Sequence, residues 1–260
     1  MLGAIAGDII GRIYEFKNNR IKRIDFPLFS RSSKFTDDTV LTVAVAESLL
    51  ECRPYRETFL EYCRLYPGCG YGRGFREWIA QDGPENRESY GNGSAMRVSP
   101  IGYAFSTLEE VLAEAEKSAI VSHSHPEAVK GAQAVASAIF LARNGSTKEE
   151  IKSYIENMFA YNLSEHTDSI RTCYSFDSSC AGSVPQAIRS FYDSTDFESA
   201  IRIAISLGGD SDTLAAMSGS IAQAYYRQIP EFIVKEVMSR LDDRIRSVVN
   251  RFNEMYDIKY

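Results

Sequence analysis

Helical periodicity constrains the fold of this sequence more than any other feature. Apolar residues recur at positions i, i+3, i+4 and i+7 over nine long segments, whereas the alternation typical of half-buried strands is scarce. We therefore predict an all-α fold. The nine predicted helical segments are 39–52, 56–66, 107–121, 127–143, 147–159, 184–192, 197–206, 213–226 and 231–256.

The domain organisation follows from how these segments are joined. No low-complexity linker divides the 260 residues. No repeat occurs at the spacing of about 20 to 50 residues that would indicate a solenoid. Length alone allows one large domain or two small ones, since a typical domain has roughly 100–200 residues. The uninterrupted helical pattern favours a single compact multi-helix domain spanning 1–260.

Small residues mark two helices that we expect near the centre of the fold, 127–143 and 213–226, because small side chains let helix axes approach closely. Glycine and polar residues concentrate in segments that we predict to be irregular loops. Prolines, including Pro185, are expected between helices or in their first turns. The predicted loops are 3–11, 30–39, 67–74, 90–102, 122–126, 178–185 and 208–213.

Composition excludes several kinds of protein. The formal charge of −6, from 29 basic and 35 acidic residues, argues against a nucleic acid or an anionic membrane as the main partner. The basic cluster at 17–23 is short and is interpreted as a solvated face. No stretch approaches the roughly 18 apolar residues that a membrane span needs. Five cysteines without a C-x-x-C pair predict free thiols in a reducing cytoplasm.

Two acidic clusters each lead directly into a predicted helix. Thr36-Asp37-Asp38 precedes one, and Asp210-Ser211-Asp212-Thr213 precedes the other. Helix capping is one interpretation, because Asp and Thr accept hydrogen bonds from unpaired helix N–H groups. The alternative is a metal site. Four carboxylates and two hydroxyls are hard ligands that suit Mg²⁺, Mn²⁺ or Ca²⁺, and they suffice for a two-metal centre.

Two further segments contain groups that can bind a ligand. The glycine-rich loop 90–97 offers close backbone approach to a phosphate and ends in Arg97, which could donate charged hydrogen bonds or form a structural ion pair. His123 precedes a helix, where a neutral ring is favoured, although a capping or packing role is as common. The aromatic residues Tyr71, Phe75, Trp78 and Tyr90 could stack on a base or line the core, and for each of them we favour the core.

These motifs together resemble the ADP-ribosylglycohydrolase family. They are G-A-I-A-G-D-I-I-G at 3–11, F-T-D-D-T at 35–39, G-N-G-S-A-M-R at 91–97, S-H at 122–123 and G-G-D-S-D-T at 208–213. The order of the motifs is similar to that in bacterial members related to dinitrogenase reductase-activating glycohydrolase. The resemblance extends from Gly3 to about Tyr226, and the combination of T-D-D, G-N-G-x-x-M-R and D-x-D-T is highly specific.

The resemblance implies an all-α fold with a binuclear Mg²⁺ or Mn²⁺ centre in a cleft. Glu15 matches a mobile glutamate that in some relatives reaches the metals and helps to position the substrate. Ala181 stands where a longer polar residue is expected. Carried over by position, the metal ligands would be Thr36, Asp37, Asp38, Asp210, Asp212 and Thr213. The substrate-binding residues would be Gly91, Asn92, Gly93, Ser94, Met96, His123, Cys180, Gly182 and Ser183.

The activity that the resemblance implies is hydrolysis of the glycosidic bond at the distal ribose of an ADP-ribosylated acceptor. Asp37 or Asp38 would orient or deprotonate the water, assisted by Glu15. The products would be ADP-ribose and a free acceptor, with arginine on a protein as the favoured acceptor and with serine-linked substrates and small ADP-ribosyl metabolites as alternatives. A binding module for ADP-ribose or another nucleotide, or a metal-dependent phosphohydrolase, would be different classes of function.

Overall fold

A computed structural model describes residues 1–16, 18, 20–85 and 87–260; Lys17 of the predicted basic face lies outside this part of the chain. The described residues form fourteen α-helices and no sheet, so the predicted fold class is confirmed. Two 3₁₀ turns occur, at Arg12–Tyr14 and Asn92–Ser94. The helices are α1 Leu2–Gly11, α2 Asp37–Glu51, α3 Tyr55–Leu65, α4 Arg73–Ala80, α5 Ile101–Ala104, α6 Leu108–Ile120, α7 Pro126–Arg143, α8 Lys148–Phe159, α9 Thr167–Cys173, α10 Cys180–Asp193, α11 Phe197–Ser206, α12 Ser211–Tyr226, α13 Glu231–Ser239 and α14 Asp243–Met255.

Eight of the nine predicted segments each correspond to one helix, with ends shifted by a few residues. The ninth, 231–256, divides into α13 and α14, because Asp242 starts a new helix by accepting a hydrogen bond from the backbone N–H of Ile245. Helix α10 begins earlier than predicted, at Cys180, and the expected position of Pro185 was therefore wrong, since it lies inside this helix.

The largest departure from the sequence prediction is α1, which was expected to be a loop and is a fully buried helix. Gly3, Gly7 and Gly11 recur every fourth residue and face α12. A Cβ atom added at any of them would lie 2.1–2.5 Å from a carbonyl oxygen of α12. Glycine is therefore required by the close approach of the two backbones, and the four-residue spacing was the helical signal in this segment.

The two helices rich in small residues lie at the centre, as predicted. Helix α12 is buried from Ser211 to Ala224 and packs against α1, α7, α10 and α11. This packing brings the N-terminal end of α12 beside α1 and the N-terminal end of α2. The two acidic clusters of the sequence therefore lie at the same end of the helical core.

The cysteines and the length of the apolar helices bear on two further expectations. The five cysteines are unpaired, as predicted. Within the described ranges, no helix combines the length and the apolar character that crossing a bilayer requires. The cytoplasmic location stays a prediction.

Candidate active site

Capping does not account for the acidic residues at the start of α2 and α12. At α2 the cap is Thr36, whose hydroxyl accepts from the backbone N–H of Asp38 at 3.3 Å. At α12 the N-cap residue is Asp210, but its carboxylate makes no capping hydrogen bond. Only Asp212 accepts from a backbone N–H of this turn, that of Thr213 at 3.0 Å. Most of the carboxylate oxygens are thus free for another role.

The two clusters meet in space. The hydroxyl of Thr213 lies 3.4 Å from an Oδ2 atom of Asp38, although 175 positions separate the two residues. Carboxylate oxygens of Asp8, Asp38 and Asp212 lie within 4.8 Å of one another, as do those of Glu15, Asp210 and Asp212. Asp212 belongs to both groups. The arrangement can therefore hold two neighbouring cations that share one carboxylate.

Asp8 is the residue of this centre that the sequence analysis did not single out. Its side chain is fully buried on α1. One oxygen accepts from the backbone N–H groups of Thr36 and Thr39, at 2.8 and 3.1 Å, and from the Thr39 hydroxyl. The other oxygen accepts from the Thr36 hydroxyl at 2.7 Å. Asp8 thus fixes the first turn of α2. A lone carboxylate in an otherwise apolar segment was the available signal.

Burial and mutual repulsion make this centre unfavourable for ionised carboxylates. Burial raises the pKa of Asp37 to about 8 and that of Asp210 to about 6, and neighbouring carboxylates contribute to both. The pKa values of Asp38 and Asp212 are raised well above their usual range, by burial first and neighbouring carboxylates second. One oxygen of Asp38 is buried without a partner among the described residues. Bound divalent cations would satisfy that oxygen and offset the repulsion, so the residues fit a metal centre.

We call Asp37, Asp38, Asp210 and Asp212 the carboxylate wall of the cleft that opens at this point. The cleft has a volume of about 330 Å³. Of the residues predicted from the sequence, those that line it are Glu15, Asp37, Asp38, Gly91, Asn92, Gly93, Met96, His123, Asp210, Asp212 and Thr213.

A second part of the cleft lining consists of Arg87, Gly91, Gly93 and His123, which we call the loop wall. Backbone hydrogen bonds attach this loop to the start of α10. The N–H of Asn92 donates to Ser178 at 2.8 Å, and that of Cys180 donates to Tyr90 at 2.9 Å.

Asn92, between the two glycines of the loop wall, contacts the carboxylate wall directly. The side-chain amide of Asn92 donates to Oδ2 of Asp210 at 2.9 Å. The loop is therefore held in a fixed position relative to the carboxylate wall.

His123 is buried beneath the two glycines of the loop wall. Its Nδ1 pairs with the Ser122 hydroxyl at 2.8 Å, and its ring stacks on Phe75. A Cβ atom added at Gly93 would lie 3.0 Å from Nε2 of His123. Burial lowers the pKa of His123 well below its usual value, and nearby arginines act in the same direction. The ring is therefore neutral at physiological pH. The neighbouring His125 has the capping role, at the start of α7.

Five of the predicted site residues lie behind the cleft and do not line it. Thr36 is buried under Asp8 and Asp38. Ser94 donates to the carbonyl of Ala128 at 2.9 Å. The Cys180 thiol lies 3.4 Å from the carbonyl oxygen of Gly91.

The remaining two are in the first turn of α10. The Ser183 hydroxyl donates to the carbonyl of Ser179 at 2.6 Å. Gly182 packs against Asp177, so closely that an added Cβ would lie 1.9 Å from a carboxylate oxygen. The segment that contains Cys180, Gly182 and Ser183 therefore supports the loop wall from behind, through the backbone hydrogen bonds of Ser178 and Cys180.

Arginine and aromatic positions differ from the sequence expectations. Arg97 is fully buried and donates to the Ser122 hydroxyl and the Ser118 carbonyl, at 3.0 and 2.7 Å, so it is a structural residue outside the cleft. Arg87, which the motifs did not indicate, lines the cleft instead. The prediction that Tyr90 belongs to the core was wrong, since it is 61% exposed. Core burial is confirmed for Tyr71, Phe75 and Trp78.

Comparison with known proteins gives a family match over nearly the whole chain. The model of the ADP-ribosylglycohydrolase family matches residues 1–259. ADP-ribosylhydrolase ARH3 of Bos taurus is 28% identical, over 89% of this chain and 85% of its own length. ADP-ribosylarginine hydrolase Tri1 of Pseudomonas putida (strain GB-1) is 24% identical, over 92% of this chain and 74% of its own length.

Among solved structures, a chain of an "ADP-ribosylglycohydrolase-related protein complex" has a similar fold. The TM-score is 0.73, with 24% sequence identity, over 98% of this chain and 95% of that one. This likeness supports the assignment of the helical architecture.

Proposed function

The chain belongs to the ADP-ribosylglycohydrolase family, and from this premise we propose that it releases ADP-ribose from ADP-ribosylated arginine with the help of two divalent cations. The family and the similar proteins indicate an enzyme that hydrolyses ADP-ribosyl glycosides. The observation that carries the finer proposal is the convergence of two distant acidic motifs in one cleft beside a glycine-rich loop.

The cations would be held by the residues at the two helix N-termini and by Glu15. Oxygen ligands of this kind favour Mg²⁺ or Mn²⁺ over softer metals. When bound, the cations would polarise a water molecule and the ribose hydroxyls and would balance the charge of the carboxylates. The proposed ligands are Thr36, Asp37, Asp38, Asp210, Asp212 and Thr213 at the helix N-termini together with Glu15, and Asp8 orients Thr36 from behind.

Asp37 and Asp38 are the residues we assign to the water. Asp37 is partly buried and lines the cleft, and its backbone N–H is fixed by the Cys69 carbonyl at 2.7 Å. In the reaction, the water oxygen bonds to the anomeric carbon, the carbon–nitrogen bond to the acceptor breaks, and one water proton passes to the departing guanidine nitrogen. One of the two carboxylates orients the water and accepts a proton on the way. Carboxylates also stabilise positive charge that develops on the ribose.

The loop wall would bind the rest of the ADP-ribosyl group. Gly91 and Gly93 have no side chain that would keep a phosphate or ribose away from the backbone. The neutral ring of His123 lies directly beneath them and contributes a polar ring without a charge. The asymmetric cleft therefore gives the substrate one orientation, with its distal ribose at the carboxylate wall.

Arginine as the acceptor is supported by two facts. Relatives named ADP-ribosylarginine hydrolase match most of the chain. In addition, Glu15 lines the cleft and already forms an ion pair with a guanidinium, that of Arg12. A carboxylate so placed is suited to orient the guanidinium of an acceptor arginine.

A release assay tests this proposal. Peptides carrying arginine-linked and serine-linked ADP-ribose, and O-acetyl-ADP-ribose, are incubated with the protein in Mg²⁺ or Mn²⁺, with EDTA as the metal-free control. We expect cation-dependent release of ADP-ribose, fastest from arginine. Preference for another linkage would refute the acceptor assignment. Tight binding without release would favour a binding module, and release of AMP or phosphate would indicate a phosphohydrolase.

A further inference from the structure

We propose that Arg87 is the anion-binding residue of the cleft: its guanidinium contacts the diphosphate of the substrate and makes the enzyme select ADP-ribosyl groups over unphosphorylated ribosyl groups. This assignment rests on the proposed function above, but its test can fail separately.

Arg87 has free hydrogen-bonding capacity that faces the cleft. It is half-buried and lines the cleft together with Gly91, Gly93 and His123. Its Nη1 donates to the Ser122 carbonyl at 2.8 Å, which uses one of the N–H donors of a guanidinium. Within the part of the chain that the structure describes, no carboxylate lies within ion-pairing distance of it. Its remaining donors are therefore available to a ligand.

The backbone and the guanidinium of Arg87 are both held in place by neighbouring residues. The backbone carbonyl of Arg87 accepts from the N–H groups of Ser124 and Ser89, at 2.9 and 2.8 Å. Together with the Ser122 contact, these bonds attach Arg87 to the segment that carries His123. On the other side is Gly74, where an added Cβ atom would lie 2.5 Å from Nη2 of Arg87. Glycine at that position leaves the guanidinium the room it occupies.

The charge of Arg87 is only weakly compensated by the protein. Partial burial lowers its pKa, and Glu77 is the carboxylate that opposes this effect. Glu77, however, pairs with Arg73 at 3.4 Å. A partly desolvated guanidinium without its own carboxylate gains most from an anionic ligand, and its fork geometry suits phosphate oxygens.

The place of Arg87 along the cleft fits a diphosphate. A chain of contacts leads from Asp210 through Asn92 and the adjacent glycines to His123, then through Ser122 to Arg87. The cleft therefore has an acidic end that can hold cations and a basic end that can hold an anion. A ligand that binds both needs ribose hydroxyls at one end and phosphate at the other, as the ADP-ribosyl group has.

Two other arginines near the loop wall, Arg97 and Arg73, do not meet these conditions. Arg97 is enclosed in the core, over the ring of Phe59, and its contacts are internal. Arg73 lines the cleft, but its side chain is 87% exposed and paired with Glu77. Arg73 therefore serves as the matched comparison for Arg87.

The experiment compares two substrates in the metal-loaded enzyme: ADP-ribosylarginine, and the same arginine glycoside carrying ribose alone. The measured quantity is the ratio of their kcat/KM values. We expect Arg87→Gln to lower this ratio about 10- to 100-fold, mainly through KM for the ADP-ribosyl substrate, because charged hydrogen bonds to phosphate are lost. Arg87→Lys should give an intermediate value, and Arg73→Gln a smaller change than Arg87→Gln.

Calorimetric binding of ADP-ribose, with ribose as the competitor lacking phosphate, gives a second readout that does not need turnover. Affinity for ADP-ribose should fall in Arg87→Gln by a factor similar to the change in KM. An equal loss for both substrates, or a larger loss in Arg73→Gln, would overturn the proposal. If the wild-type enzyme released no ADP-ribose, the proposed function would fail, while the binding comparison would still decide the role of Arg87.

Discussion

The carboxylate wall and the loop wall of the same cleft are built in opposite ways. The carboxylate wall is formed by the first turns of two long helices, α2 and α12, which both pack on α1 and thereby bring like charges together. The loop wall is held by hydrogen bonds of its backbone and presents glycines, a neutral ring and a guanidinium with free donors. The rigid helical side thus accumulates charge that needs cations, whereas the loop side keeps donors free for an anion.

The strongest test of this contrast is Asp38→Ala. Asp38→Ala removes an oxygen that has no partner among the described residues, so we expect metal binding by calorimetry to be lost and kcat to fall at least about 100- to 1,000-fold. Without metal, the same variant should melt at a higher temperature than the wild type, because repulsion is relieved. Near-normal turnover in the Asp38→Ala, Asp210→Ala double variant would disprove the metal centre.

The second test is the pH dependence of the metal-free protein. A folded-state pKa raised from 3.8 to about 6 at Asp210 means that the folded state binds more protons than the unfolded state in this range. Stability should therefore fall as pH rises from about 4 to about 7, by roughly 3 kcal/mol for this group alone. Thermal melts in EDTA measure the loss, and saturating Mn²⁺ should abolish it. A melting temperature that does not change with pH in EDTA would contradict the burial and repulsion described for the carboxylate wall.

A third test asks whether the helix packing sets the carboxylate wall. In Gly7→Ala, the new Cβ would lie 2.1 Å from the carbonyl oxygen of Ala215, so α1 and α12 must separate. We expect a loss of about 1–3 kcal/mol in urea unfolding and weaker Mn²⁺ binding. Gly68→Ala is the matched control, since an added Cβ there meets no atom within 4 Å. Equal effects at the two sites would show that the close contact is unimportant.

The smallest expected effect belongs to Asp8→Asn, which keeps the size of the side chain but places an amide among hydrogen-bond donors. Thr36 and Thr39 would lose part of their fixed orientation, and we expect Mn²⁺ affinity to fall about 10-fold, with a parallel fall in kcat/KM. Circular dichroism checks that the fold is retained. Unchanged Mn²⁺ affinity would mean that Asp8 serves stability alone.

The parts of the fold that sequence could predict are those with a local signal. Amphipathic helices such as α6 and α11 were placed because apolar periodicity depends on the segment alone. Helix α1 was missed because its glycines are explained by the surface of α12, which lies about 200 positions later. Tertiary packing overrides the low helix propensity of glycine at such contacts.

The site also contains features that the local sequence could predict and features that depend on tertiary packing. The acidic motifs were visible as residues, but their convergence across 175 positions rested on the family resemblance and not on spacing. The sequence could not predict that Arg97 lies in the core and that Arg87 lines the cleft. Burial decides whether a guanidinium contacts carbonyl groups in the core or is open to a ligand in the cleft. Neither residue's immediate sequence contains that information.

The contact of α1 with α12 also has a consequence for biosynthesis. Helices α1 and α12 are separated by about 200 residues, which take roughly 10–40 s to translate at about 5–20 residues per second. During that interval the apolar α1 has emerged without the surface that covers it, and the acidic residues of α12 do not yet exist. The centre can therefore form only after α12 has been translated, and nascent chains that stall before α12 expose the apolar α1 to chaperones and lack half of the carboxylate wall.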